Sequence, residues 1–354
     1  MNTPLNIQEF LKLSEKIPVI DVRSPGEFEQ GHIPGAVNVP LFSNEERAKV
    51  GTAYVQISRE EAVRIGYEIA NPKINSFIAQ VEKNAATKNV LVHCWRGGMR
   101  SGKFVQLLNE HKYKTHTLIK GYKAYRNFVL ESFSRKATFL ILGGETGSGK
   151  TEILKKIAEQ GEQVIDLEAI AHHKGSAFGS LGEKPQPTHE QFENNLAHEW
   201  MKAVSPLSGG EGSGVRQRIW LEDESRNIGR TQIPLSLWEK MKAAPILRIN
   251  VTKRLRIERL MTDYGKFSRE ELKACILKIE QRLGPQHVKH ALEELEKGNL
   301  EIVADISLTY YDKSYNYNHE KREMKNIFLI ECASADAFEN SKKIIEFANQ
   351  QKYV

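Results

Sequence analysis

A chain of 354 residues is longer than one compact domain usually grows, so two domains are expected, each large enough to bury its own core. No apolar run reaches the roughly 18–20 residues that span a bilayer, the opening MNTPLNIQEF lacks the basic and apolar regions of a secretory leader, and three cysteines without paired spacing argue against a disulfide framework or a CxxC-type zinc site. A reducing, cytoplasmic location is expected, and the net charge of +6, all of it carried before residue 136, suits a polyanionic partner such as RNA without requiring one.

Along the chain, apolar β-rich runs alternate with longer helical patterns, as in parallel α/β proteins. PVIDV (18–22) and NVLVHC (89–94) read as buried strands of a first sheet. ATFLIL (137–142), QVIDL (163–167), RIWLED (218–223), ILRINV (246–251) and IFLIE (327–331) read as strands of a second. Amphipathic helical patterns cover 151–160, 190–203, 253–264, 268–283 and 336–350. The polar stretch ESFSRK (131–136) precedes a fresh strand, which divides the chain into domains 1–135 and 136–354.

Cys94 ends the second of these strands and is followed by Trp95, Arg96, Gly97, Gly98, Met99 and Arg100. Glycines let a backbone curl so that several N–H groups converge, and a helix starting near Arg100 adds its positive end to the same concavity. Such a nest favours a thiolate, available as a nucleophile, and can hold the anion that the thiolate attacks. A lone cysteine after a strand is more often a small buried apolar residue; the Arg and Gly around this one tip the balance toward catalysis. His93 is a doubtful partner for Cys94, because neighbours on an extended strand face opposite ways.

DVRSPGEFEQGHIPGAVNVP (21–40) resembles the signature segment of rhodanese domains, which carry their active cysteine at the end of a later strand, where this chain has VLVHC. The spacing from Cys94 to Arg100 is C-x5-R, one residue longer than the usual sulfur-transferring loop and equal to that of a related class of phosphatases. The resemblance implies a nest for a tetrahedral anion larger than a terminal sulfur atom, such as a phosphate-like donor.

Further on, Gly144, Glu145, Thr146, Gly147, Ser148, Gly149, Lys150 and Thr151 satisfy the phosphate-loop pattern, with a strand before and a helical run after. Backbone N–H groups would cradle a diphosphate, Lys150 would neutralise it, and the Thr151 hydroxyl would sit where Mg²⁺ binds. Glu222 and Asp223, closing an apolar strand, are candidate metal or outer-sphere residues, although acidic residues often merely end strands. LSGGE (207–211) looks like the signature of transporter ATPases but reads better as a flexible connection. Arg254, Arg256 and Arg259 fall where phosphate-loop kinases carry a basic lid, with a solvated helix face as the competing reading.

The expected fold is α/β: an N-terminal rhodanese-like parallel-sheet domain and a C-terminal phosphate-loop (NTPase-like) parallel-sheet domain with a helical lid region. That combination, with DLEAIAHHKGSAFG (166–179), PTHEQFENNLAHEW (187–200) and WLEDESRNIG (220–229), resembles the bacterial tRNA 2-selenouridine synthase family over essentially the whole chain. The resemblance implies a transferase acting on tRNA that carries 2-thiouridine at the wobble position. It would exchange sulfur for selenium through an S-geranyl-2-thiouridine intermediate, with geranyl diphosphate and selenophosphate as co-substrates. No tightly bound cofactor is expected beyond a candidate Mg²⁺; an enzyme that produces selenophosphate is a candidate partner, and no membrane is. The diphosphate is assigned to the loop around Lys150 and selenophosphate to the Cys94–Arg100 cradle, where Cys94 would attack or carry selenium as a persulfide-like adduct. The reverse assignment of the two sites stays open. His172 and His173 are open between substrate contact and solvated loop; Cys275 and Cys332 read as packing residues. The rival readings are a rhodanese-type sulfurtransferase fused to a phosphate-loop kinase or ATPase, a phosphatase, and an RNA-binding module without catalysis.

Overall fold

The structure is a computed structural model that describes residues 2–204, 218–320 and 326–351. The chain divides into two units, Met1–Ser132 with Glu193–His198, and Phe133–Phe192 with Glu199–Val354.

In the first unit, strands β1 (Asn2–Leu5), β2 (Val19–Asp21), β3 (Val37–Asn38), β4 (Asn89–His93) and β5 (Lys114–Leu118) form one parallel sheet in the order β1-β5-β4-β2-β3. β4 reads as an unbroken apolar run because both of its faces are covered. Val90 and Val92 pack with Phe77, Phe104 and Leu108 from the helices Ile74–Asn84 and Met99–Glu110. The central position of β4 matters for function, since groups at the carboxyl ends of parallel strands are the ones left free to meet a ligand.

The second unit contains β6 (Thr138–Gly144), β7 (Gln163–Ile165), β8 (Arg218–Glu222), a short antiparallel pair β9 (Asn227–Ile228) and β10 (Thr231–Gln232), then β11 (Ile246–Asn250) and β12 (Ile327–Glu331). Its main sheet is parallel in the order β12-β11-β6-β8-β7. Leu140, Leu142, Trp220, Leu247 and Ile249 pack against Ile153 and Ile157 of the helix Lys150–Glu159 and Ile344 of the helix Ala337–Gln350. A separate apolar cluster, including Cys275, Ile276, Val288, Leu295 and Val303, joins the helices Arg269–Lys278, Pro285–Lys297 and Leu300–Glu320.

The single helix expected over 268–283 is two, Arg269–Lys278 and Glu280–Leu283, interrupted at Ile279. Gly284 at φ 95° followed by Pro285 then forces a fresh start for the next helix. LSGGE lies outside the described residues. Among the described residues no helix is long and apolar enough to cross a membrane.

Candidate active sites

β4 delivers Cys94 to the middle of the first sheet's carboxyl edge, and the chain turns through residues 95–98 into the helix Met99–Glu110. The turn is pressed against the start of the helix Gly121–Ser132, whose Tyr122 and Lys123 N–H groups donate to the Cys94 and Trp95 carbonyl oxygens at 2.8 and 3.0 Å. Such contact needs glycine on both sides. Gly97 has φ 64° and a Cβ there would come within 2.7 Å of the Leu118 carbonyl oxygen; Gly121 has φ 57° and its Cβ would overlap the Cys94 carbonyl.

The Cys94 Sγ is buried 3.2 Å from the Ser101 Oγ, a hydroxyl placed to accept from a thiol or donate to a thiolate. Arg96 is exposed and Trp95 half-buried. Arg100 is held by Glu27, its Nη1 and Nη2 donating to the two carboxylate oxygens at 2.7 and 3.2 Å. Burial opposes the charge on Arg100, yet Glu27, with Cys94 and Asp21 adding smaller pulls, raises its pKa overall. Arg100 therefore meets an anion already oriented and already partly neutralised. Glu27 is itself fixed by a capping box: it accepts the Ser24 N–H at 3.1 Å at the start of the helix Pro25–Gln30.

Behind this loop, Arg23 is wholly buried, donates to both Asp21 oxygens and to the Gly31 carbonyl (2.6 Å), and stacks 3.7 Å over the Tyr122 ring. The start of the 21–40 segment thus braces the floor under Cys94 rather than touching its sulfur. His93 faces the same brace, its Nε2 3.7 Å from the Asp21 Oδ2 and its ring between Phe10 and Tyr122. Burial keeps its pKa below the ordinary histidine value despite the pull of Asp21, as suits a structural imidazole.

In the second unit the phosphate loop leaves β6 and enters the helix Lys150–Glu159 through Gly147 (φ 79°) and Gly149 (φ 84°). A Cβ on Gly149 would come within 2.7 Å of the Arg259 guanidinium. The Lys150 Nζ donates to the Gly144 carbonyl at 2.9 Å and lies 3.4 Å from Glu222. Register makes that pairing: Leu142 on β6 stands opposite Glu222 on β8, so the carboxylate ends level with the loop. The Thr151 hydroxyl lies within donor reach of Glu168 (3.3 Å) and Glu222 (3.4 Å).

Glu168, Glu222 and Glu224 bring carboxylate oxygens within 4.8 Å of one another. Burial foremost raises the pKa of all three against the pull of Lys150; repulsion from Glu222 adds to it at Glu168 and Glu224, and repulsion from Asp166 adds to it at Glu222. The same carboxylates, Glu222 first, raise the pKa of Lys150 against its own burial. Gly175, at φ 63°, is where the backbone approaches Glu224: a Cβ there would stand 2.5 Å from its Oε2. Glu222 thus joins Lys150 and Thr151, and Asp223 does not; its Oδ2 lies 3.4 Å from the Tyr315 hydroxyl, which accepts the Gly144 N–H at 2.6 Å.

Glu145 turns outward to Arg248 (3.4 Å) and Arg256 (3.2 Å), the Thr146 carbonyl accepts from Arg256 (3.2 Å), and the Ser148 N–H donates to the Glu145 carbonyl (3.1 Å). The three arginines of the helix Lys253–Tyr264 separate by environment. Arg256 is buried and bidentate to Asp312 (2.7 and 2.8 Å), Arg259 pairs with Glu152 beside the loop (2.8 Å), and Arg254 is solvated. His172, at φ 52°, closes the helix Leu167–Ala171 and its Nδ1 lies 2.9 Å from the Pro185 carbonyl. Cys275 and Cys332 are buried free thiols whose pKa values burial raises.

Sequence reasoning missed Glu27, Glu168 and Glu224 as individuals. The S-x-x-E spacing of Ser24 and Glu27 is a legible capping signal. Glu168 and Glu224 lie in segments that carry the family resemblance, but nothing local distinguishes them from other acidic residues near strand ends.

The family model described as the tRNA 2-selenouridine synthase AAA domain matches residues 137–344, and that of the rhodanese-like domain matches residues 6–128. Among curated proteins named tRNA 2-selenouridine synthase, the one from Bdellovibrio bacteriovorus is 32% identical over 92% of this chain and 95% of its own length. The one from Pseudomonas syringae pv. tomato is 31% identical over 86% and 89%, and that from a Sulfurovum species 32% over 91% and 94%.

Proposed function

The chain belongs to the tRNA 2-selenouridine synthase family, and from that premise we propose that it replaces the sulfur of wobble-position 2-thiouridine in tRNA with selenium, in two steps at two sites. In the first, the thiouridine sulfur attacks C1 of geranyl diphosphate; the C–O bond breaks, diphosphate leaves with the electron pair, and the uracil gives up its N3 proton. The P-loop around Lys150, residues 144–151, holds the diphosphate. In the second, the Cys94 thiolate adds to C2 and expels geranylthiol, which takes up a proton. Selenium from selenophosphate then displaces Cys94, and water accepts the phosphoryl group as phosphate. No atom changes oxidation state along this route, whereas loading selenium from selenophosphate onto Cys94 as a persulfide-like adduct would leave phosphorus reduced.

Alkylation comes first because sulfur on C2 of a thiouracil is a poor leaving group until it departs as a neutral thiol. Trp95, Arg96, Gly97, Gly98, Met99 and Arg100 form the selenophosphate cradle in this reading, Arg100 being held in place by Glu27. Residues 1–135 would carry the selenium step and 136–354 the alkylation, in a cytoplasmic enzyme that obtains selenophosphate from another.

A divalent cation fits Glu168, Glu222 and Glu224. Three carboxylates whose burial and neighbouring carboxylates raise their pKa values are a donor set short of positive charge. Mg²⁺ held there would help neutralise the departing diphosphate, and Thr151 and Lys150 stand beside it.

The observation that carries this reading is the presence in one chain of two unlike anion sites, one built around a thiol and one around an amine and carboxylates. The test is nucleoside mass spectrometry on 2-thiouridine tRNA incubated with geranyl diphosphate and selenophosphate. Cys94→Ala should accumulate geranylated thiouridine, and Lys150→Ala should yield neither product. Untouched thiouridine with the unaltered chain would discard the reading in favour of a sulfurtransferase fused to a kinase.

A further inference from the structure

Cys94 opens onto a cavity of about 1100 Å³ lying wholly within the first unit, walled by the helices Asn44–Gln56, Arg59–Ala70 and Met99–Glu110. Its volume stands at or above the upper end of small-molecule sites, roughly 300–1,000 Å³. A thiol that handles only a small inorganic anion has no use for such a space. Its lining is largely apolar: Val50, Ala62, Val63, Phe77 and Leu107 furnish the wall. Apolar side chains at the mouth stay in contact with solvent, Val55 at 83% exposure and Met99 at 40%, an arrangement that costs free energy unless a ligand covers it.

The rim has the opposite character. Arg59, Arg96 and Lys103 line the same cavity and are exposed; neither Arg59 nor Arg96 has an ion-pair partner among the described residues. An apolar trough with a thiol at its base and cations at its lip matches a ligand that is lipid at one end and polyanionic at the other. We propose that this cavity binds the geranyl chain of the S-geranyl-2-thiouridine tRNA intermediate during selenium exchange, with the flanking RNA phosphates on Arg59, Arg96 and Lys103. The proposal rests on the two-step reading above. It gives the departing geranylthiol an apolar place to go and sets C2 of the uracil near Cys94. It also gives the second site a means of telling the alkylated nucleoside from the unalkylated one.

The test compares two anticodon stem-loop RNAs, one with S-geranyl-2-thiouridine and one with S-methyl-2-thiouridine, for binding to the full chain and for conversion with selenophosphate. Burial of only two methylene equivalents suffices for roughly tenfold tighter binding, so the geranyl RNA should be preferred at least about tenfold. Thr52→Trp fills the cavity from an exposed position and Val63→Asp places a charge in its wall; each should cut the preference to within about threefold, while Cys94→Ala keeps it. Equal affinities in the unaltered chain, or a preference that persists in both cavity variants, would overturn the proposal and place the chain elsewhere. If the unaltered chain converts neither RNA, the two-step reading itself has failed; conversion of the geranyl RNA with cavity variants as fast as the unaltered chain defeats the cavity assignment alone.

Discussion

The Arg100–Glu27 pair offers a prediction whose size follows from the structure. At a charge separation of about 4 Å and an effective dielectric constant of ~20, the pair gains about 4 kcal/mol before desolvation is counted. The two side chains are 23% and 18% exposed, so solvent and the cost of removing both ions from water cancel most of that gain. A net coupling of about 1–2 kcal/mol remains. Glu27→Gln removes the charge but keeps a side chain able to complete the capping box with Ser24; Glu27→Ala removes both and should cost about 0.5–1 kcal/mol more. A double-mutant cycle with Arg100→Gln, read from urea unfolding of the full chain through hydrogen exchange in the helix Met99–Glu110, measures the coupling. Coupling below about 0.3 kcal/mol would refute the claim that Glu27 holds Arg100. The kinetic sign follows from the same charges: with its counter-ion gone, Arg100 presents more positive potential, so the KM for selenophosphate should fall in Glu27→Gln and rise in Arg100→Gln.

Three further outcomes are expected. The pKa values of Glu168, Glu222 and Glu224 are raised in the folded chain, foremost by burial, so the second unit should lose stability as pH rises from the ordinary carboxylate range through their raised values. Mg²⁺ should therefore raise the melting temperature more at pH 8.5 than at pH 6, and an equal gain at both would contradict the assignment of the cation to this trio. Gly121→Ala combines a left-handed φ with overlap of the Cys94 carbonyl, and should destabilise the first unit by about 2 kcal/mol or more. In that variant geranylated tRNA should build up by mass spectrometry, because the alkylation proposed for the phosphate loop is spared. Arg256→Ala strips a buried partner from Asp312 and the Thr146 carbonyl and should cost about 2–3 kcal/mol in chemical denaturation, whereas Arg254→Ala on the solvated face should stay within about 0.5 kcal/mol.

The strands that carry both sites were plain in the sequence because central parallel strands are buried on two faces and must be continuous in apolar residues, as in β4 and β6. β5 was not, because KTHTL turns Thr115 and His116 inward and resembles a loop in composition. The helix Asn44–Gln56 escaped for a related reason: it buries only Ala53, leaving little apolar periodicity to find, and much of its remaining face lines the cavity beside Cys94.

Local backbone chemistry was therefore enough to establish the Cys94 loop, the phosphate loop and their strand-to-helix setting, since glycines, a cysteine and a lysine at fixed spacing act over a few residues. Which carboxylates meet which cations depended on pairings distant in sequence. Register of β6 against β8 selects Glu222 over Asp223, the turn through Gly175 admits Glu224, and a capping box 73 residues before Arg100 supplies its counter-ion. Those contacts arise only when separate segments pack, because neighbouring residues on a strand or its end face different surroundings, and the packing of the rest of the chain decides which surroundings each receives.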